Sequence, residues 1–199
     1  MEIKNVTFLG YSGCHPGEEL YQNAFDAAAC VAKEGYVVVN GGGPGVMRAS
    51  TEGAKSVGGQ AIGITFYPKD MTFFEGHDPG NNVDELIETN SYLERTLKLL
   101  DYGDIFVVFN GGTGTISEFG MAWGLARLYF GHHKPLILFG GFWYPIIEEI
   151  AQHMKLRQEE LEVYKIITEV DHIVPAIKEF EDKLSETQHN HQEENPFTT

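Results

Sequence analysis

Short apolar runs alternate with longer stretches in which apolar side chains recur at helical spacing, and the alternation continues nearly to the C-terminal end. Residues 6–9, 36–40, 60–65, 105–109 and 135–139 read as strands. They are mostly apolar without alternating polarity, the pattern of strands buried on both faces. A short extra strand is expected over 83–88 and another near Ile166. Helices are expected over 18–34, 44–57, 91–101, 115–130, 142–154 and 171–184. Pro44 suits a first helical turn, and Gly58-Gly59 suits a helix end. Residues 66–82 carry Pro68, Gly76, Pro79 and Gly80 and are expected to form a loop long enough to act as a lid or pocket wall. Strand–helix alternation with apolar strands predicts an α/β fold: a doubly wound parallel sheet, Rossmann-like, in three layers. It occupies a single domain over residues 1–184, and the polar, His- and Gln-rich stretch 185–199 is expected to be disordered.

A chain of 199 residues suffices for one well-buried core. Hydrophobic content of 42% with 12% aromatics fits an ordinary globular protein. The formal net charge of −15 argues against a nucleic-acid polymer as partner, because such binding needs a basic patch. A local pocket for one small phosphate is compatible with that charge. The two cysteines, Cys14 and Cys30, lack metal-ligand spacing and read as reduced thiols. The N-terminus has no basic n-region and no long apolar h-region. No apolar run approaches the ~20 residues that span a bilayer. A cytoplasmic protein without a membrane partner is therefore expected.

Three glycine turns fall at expected strand ends, where ligands bind in doubly wound sheets. The first, Gly10-Tyr-Ser-Gly13, offers Ser12 and Gly13 but lacks the G-x-G-x-x-G dinucleotide fingerprint. The second, Gly41-Gly-Gly-Pro-Gly45, places Gly42 and Gly43 where backbone can approach a ligand, or a helix can approach the sheet. Arg48 follows it, either reaching a phosphate or lying solvated on a helix. The third carries most information. Asn110-Gly-Gly-Thr-Gly-Thr-Ile-Ser-Glu118 runs from an apolar strand into a long apolar helix. Strand, glycine turn and helix together aim free N–H groups and the helix dipole at an anion. Gly111, Gly112 and Gly114 allow close approach, and Thr113 and Thr115 add hydroxyls.

Glu118 lies one turn inside that helix and has two readings. Thr115-Ile-Ser-Glu118 matches the S/T-x-x-E capping box; alternatively the carboxylate faces a pocket and does chemistry. Arg95, alongside Tyr92 and Leu99, reads either as a half-buried ion pair or as a bidentate phosphate or ribose contact. Glu94 and Lys98 read as an exposed i,i+4 pair. The helix after Glu118 is apolar almost all round, so either it is fully buried in the monomer or a stripe of it packs on another subunit, and a homodimer or higher homo-oligomer is expected. Trp143-Tyr144 lines the pocket or anchors its helix, and His132-His133 reads as solvated.

Together these residues resemble the LONELY GUY family, whose hallmark is P-G-G-x-G-T-x-x-E with an arginine–lysine pair on the preceding helix. Gly111, Gly112, Gly114, Thr115, Glu118 and Arg95 match, as does the Gly41–Gly45 turn with Met47; the resemblance covers about residues 6–150. It implies a nucleoside 5′-monophosphate phosphoribohydrolase that releases free base and ribose 5-phosphate, acting on cytokinin riboside monophosphates or on AMP. By that resemblance Glu118 and Arg95 are catalytic. Gly111–Thr115, with Ser12, Gly13, Gly42 and Gly43, bind the nucleotide, and no metal or organic cofactor is needed. The chain departs from the pattern at three positions: Asn110 replaces the proline, Thr96 the lysine, and Tyr92 the methionine three residues before the arginine. Relatives with related glycine motifs, molybdenum-cofactor carriers among them, bind a ligand without cleaving it. A non-catalytic nucleotide or molybdenum-cofactor carrier is thus the alternative.

Overall fold

The computed structural model of the chain describes residues 2–68 and 77–193. Seven strands form one wholly parallel sheet: β1 Asn5–Leu9, β2 Val37–Asn40, β3 Ala61–Phe66, β4 Glu85–Thr89, β5 Ile105–Val108, β6 Leu136–Phe139 and β7 Tyr164–Ile167. Their spatial order is β4-β3-β2-β1-β5-β6-β7. The chain winds outward from β1 to one edge, then returns to β5 on the other side of β1. Winding therefore reverses between β1 and β5, where Val6 faces Ile105 and Leu9 faces Val108. A crevice opens beyond the carboxyl ends of strands at such a reversal.

Helices α1 Glu19–Lys33, α2 Val46–Ser56 and α7 Ile173–Glu193 cover one face, and α3 Tyr92–Tyr102, α4 Thr113–Leu128 and α5 Trp143–His153 cover the other. Strand side chains alternate between two cores, as the period of 2 requires. Val6, Phe8, Ile105, Val107, Ile137 and Phe139 meet α1, α2 and α7, while Leu9, Phe106, Val108, Leu136 and Leu138 meet α3, α4 and α5. Phe109 packs between Phe8 and Phe139, with ring centroids 6.0 and 4.8 Å away. Truncating such a buried ring to alanine costs about 3–5 kcal/mol. This row fixes the end of β5 immediately before the third glycine turn.

The expected doubly wound architecture in three layers is present, with several local differences. Helix α2 begins at Val46 with Gly45 as its N-cap, so Pro44 stands outside it. Helix α4 begins at Thr113 rather than Thr115. A short helix, α6 Gln158–Glu162, was not expected; it is polar and all its residues are at least partly exposed, so it carries no apolar periodicity. A 3-10 turn, Val170–His172, precedes α7. The polar stretch from Ser185, expected to be disordered, begins as a continuation of α7 to Glu193. Of the expected loop at 66–82, Phe66 completes β3 and residues 69–76 lie outside the described residues. No helix among the described residues is long and apolar enough to cross a membrane.

Candidate active site

The three glycine turns converge at the reversal between β1 and β5. Tyr11 N donates to Asn110 O (2.9 Å), and Tyr11 O accepts from Val46 N (2.9 Å). The first turn is thus tied to both others, and the first N–H of α2 is spent on it. Gly45 must be glycine here. Its φ is 67°, and a Cβ would lie 2.3 Å from Tyr11 O. The second turn is braced from behind by Asn40, whose carbonyl oxygen accepts from Gly42 N (2.9 Å) and whose amide donates to Ser50 and Thr51. Asn81 donates to Gly43 O (2.8 Å). Asn40, Ser50, Thr51 and Asn81 are buried and organise this turn, but as isolated polar residues they form no sequence motif.

A cleft of about 640 Å³ opens above these turns. One wall is the start of α4, from Gly112 to Thr115 with Ser117 and Glu118, and the floor and far wall include Ser12, Gly41, Met47, Phe66, Tyr92 and Arg95. No side chain caps α4, and its first intrahelical bond runs from Ile116 N to Gly112 O (3.0 Å). The N–H groups of Thr113, Gly114 and Thr115 therefore have no intrahelical acceptor. Thr113, Gly114 and Thr115 line the cleft at the positive end of the dipole, an arrangement suited to an anion. A Cβ on Gly112 would meet nothing within 4 Å, whereas one on Gly111 would strike Thr115 Oγ1 at 2.1 Å. Gly112 and Gly114 border open cleft; Gly111 shapes the turn beneath. Gly13 lies against the Tyr11 ring, and Gly42 and Gly43 are engaged with Asn40, Asp78 and Asn81 instead of lining the cleft. Gly41 takes the lining position in that turn.

Glu118 is not a cap. With α4 starting at Thr113, it sits past the first turn, and its Oε1 accepts from Arg95 Nη1 at 3.3 Å. The ion pair is buried, with side-chain exposures of 7% and 9%. The remaining guanidinium nitrogens are also committed: Nε donates to Ile64 O (3.0 Å) and Nη2 to Gly41 O (3.2 Å). Gly41 must lack a side chain for this, because a Cβ would stand 1.6 Å from Arg95 Nη2. Of Arg95's two readings, the geometry gives the buried ion pair. Burial pushes the Glu118 carboxyl above the usual carboxylate range, and the Arg95 guanidinium pulls against that shift. A carboxyl balanced this way, at the wall of a cleft, is equipped to exchange a proton.

Other side chains resolve more simply. Arg48 is held by Glu52 (2.8 Å) and Asp78 (3.5 Å). The expected exposed Glu94–Lys98 pair persists as an electrostatic attraction, while Glu94 also accepts from Asn90 N at 2.9 Å, Ser91 caps α3 and Lys98 lies over the Tyr102 ring. Trp143 anchors its helix by donating to Val108 O (3.1 Å). His133, expected to be solvated, is buried, stacked on Phe130, and held neutral by burial with a pKa of about 4. Thr96 is buried in the core and adds no charge to the cleft. Among the described residues no cluster of His, Cys, Asp or Glu is placed to hold a metal ion.

Comparison with known proteins bears on the family and the fold. Cytokinin riboside 5′-monophosphate phosphoribohydrolase from Mycobacterium tuberculosis is 35% identical over 122 residues, 60% of this chain and 62% of its own length. The chain thus matches under two thirds of that relative. The X-ray structure of the structural-genomics target TM1055 superposes with a TM-score of 0.67 at 27% identity, covering 89% of this chain and 99% of that one. The molybdenum cofactor binding protein of Rippkaea orientalis gives a TM-score of 0.67 at 23% identity over 90% of this chain and 98% of that one, a likeness of fold. The resemblance to the LONELY GUY proteins is sustained by the named relative. The SLOG cluster4 family pattern matches residues 3–171, which hold all three glycine turns, Arg95 and Glu118, and the chain belongs to that family.

Proposed function

We propose that the protein is a nucleoside 5′-monophosphate phosphoribohydrolase. One observation carries the reading: an uncapped helix N-terminus and a buried, Arg-paired carboxyl line the same cleft. The N–H groups of Thr113–Thr115 hold the 5′-phosphate, with the Thr113 hydroxyl and Ser12 beside it. The sugar then lies toward Glu118. Water adds to C1′ as the C1′–N bond breaks, and the bonding pair leaves with the base. Glu118 steadies the positive charge that develops at C1′, takes up a proton of the water and passes it to the departing base, by the carboxylate logic of glycoside hydrolysis. Arg95 acts through Glu118, fixing its rotamer and keeping it ionisable despite burial. No metal is called for in these steps.

Glu118→Gln tests this reading. The variant should bind AMP by calorimetry with affinity close to wild type and release no adenine. Normal turnover would remove Glu118 from the chemistry.

A second reading is a carrier that holds a nucleotide or molybdenum cofactor intact. Thr96 favours it, since the position that is lysine in the family hallmark contributes no cation here. It predicts stoichiometric binding without product.

We also propose a homodimer through α3 and α4. Leu93, Leu97, Ile116, Leu128 and Tyr129 are exposed on these helices, Leu128 by 66%. Leu97 and Tyr129 also line a groove of about 390 Å³, together with Leu100 and Leu125. So large an apolar face on a chain of this charge fits a self-complementary interface.

A further inference from the structure

Tyr92, the first residue of α3, stands across the cleft from the first turn of α4. Its hydroxyl lies 3.1 Å from Ser117 Oγ. It also lies 3.5 Å from where a Cβ on Gly114 would be. The geometry lets either hydroxyl donate in the Tyr92–Ser117 bond. Ser117 Oγ donates to Gly114 O at 2.7 Å. A serine hydroxyl has one hydrogen. With that hydrogen spent on Gly114 O, Ser117 accepts from Tyr92 and the phenol proton points at α4. Tyr92 offers the cleft its lone pairs.

An acceptor at this place repels phosphate oxygens and welcomes a donor. Its position beside Gly114, whose N–H belongs to the phosphate-binding turn, sets it at the phosphate end of the cleft, within reach of the sugar that carries the phosphate. The Phe66 ring, edge-on to Tyr92 with centroids 6.2 Å apart, holds the phenol in this pose. A ribose hydroxyl donating to Tyr92 would complete a chain of donors, from sugar to Tyr92 to Ser117 to the Gly114 carbonyl, in which each bond polarises the next.

We propose that Tyr92 reads a ribose hydroxyl and makes the site selective for ribonucleoside over deoxyribonucleoside 5′-monophosphates. This rests on the phosphoribohydrolase reading of the cleft. The test compares AMP with 2′-deoxy-AMP and 3′-deoxy-AMP, on wild type and Tyr92→Phe, reading both kcat/KM and Kd. Wild type should favour AMP about tenfold over the analogue lacking the contacted hydroxyl, the size of one hydrogen bond. In Tyr92→Phe that ratio should fall close to one. A wild-type ratio near one, or a ratio unchanged in Tyr92→Phe, overturns the assignment and leaves the hydrolase reading standing. Absence of cleavage of every nucleotide overturns the hydrolase reading, while the Kd ratios still decide the role of Tyr92. Failure of all three to bind overturns both.

Discussion

Replacing Arg95 by methionine keeps the length of the side chain and removes its charge. The guanidinium holds Glu118, Ile64 O and Gly41 O at 3.3, 3.0 and 3.2 Å. Removing one partner of a buried ion pair costs about 3–5 kcal/mol, because the other charge is left without compensation. Two backbone carbonyls lose their donor as well, which places Arg95→Met toward the top of that range. Against a typical stability of about 5–15 kcal/mol, the variant should fold with a much reduced margin. The loss should also depend on pH. Burial already raises the Glu118 pKa, and Arg95 opposes the rise; without Arg95 the folded-state value climbs further. A carboxyl whose folded pKa exceeds its unfolded value contributes most at low pH, and that contribution fades as pH rises through the folded value. Arg95→Met should therefore lose stability toward neutral pH over a wider window than wild type. Urea unfolding followed by tryptophan fluorescence suits the question, since Trp123 and Trp143 both pack on Phe119, the neighbour of Glu118. Glu118→Gln in the Arg95→Met background should restore part of the loss, with a coupling of about 0.5–3 kcal/mol. A penalty under about 1 kcal/mol, or one equal in both backgrounds and independent of pH, would refute the buried-pair account.

Four further outcomes follow from the same structure. Gly41→Ala should displace Arg95 and lower turnover along with the urea midpoint, since its Cβ would collide with the guanidinium. Gly112→Ala should leave stability within about 0.5 kcal/mol of wild type yet weaken AMP binding by calorimetry, because its φ of −92° is ordinary and its Cβ would enter open cleft. Leu128→Glu should convert a dimer to monomer in sedimentation, without changing far-UV circular dichroism. His133, with a folded pKa of about 4 against an ordinary 6.5, binds protons less readily folded than unfolded. Stability should fall as pH drops from 6.5 toward 4, and His133→Gln should flatten that part of the melting-temperature profile.

The fold was legible because a two-sided parallel sheet writes itself as unbroken apolar strands, and the major helices other than α4, which is apolar almost all round, carried an apolar periodicity. The strand–glycine–helix passage from Ile105 to Glu118 was legible for the same reason: tight turn and dipole are local properties. What stayed hidden depends on contacts between distant residues. Whether Glu118 caps α4 turned on where the helix starts, and the capping-box spacing at Thr115 fitted a start that the turn at Gly112 does not use. Arg95 could not be assigned between ion pair and ligand contact until Gly41, remote in sequence, was seen to make room for its guanidinium. Asn40 and Asn81 hold the second turn together as single polar residues, with no spacing to mark them. His133 looked solvated in a polar turn and is buried by Phe130 folding over it.

The central claim is that the cleft breaks an N-glycosidic bond. The most direct measurement is chromatography of the purified protein after incubation with a panel of nucleoside 5′-monophosphates, including AMP and a cytokinin riboside monophosphate, with Glu118→Gln alongside. Free base and ribose 5-phosphate should appear in equal amounts with wild type and not with the variant. Nucleotide bound at one equivalent and recovered intact would contradict the claim and establish a carrier.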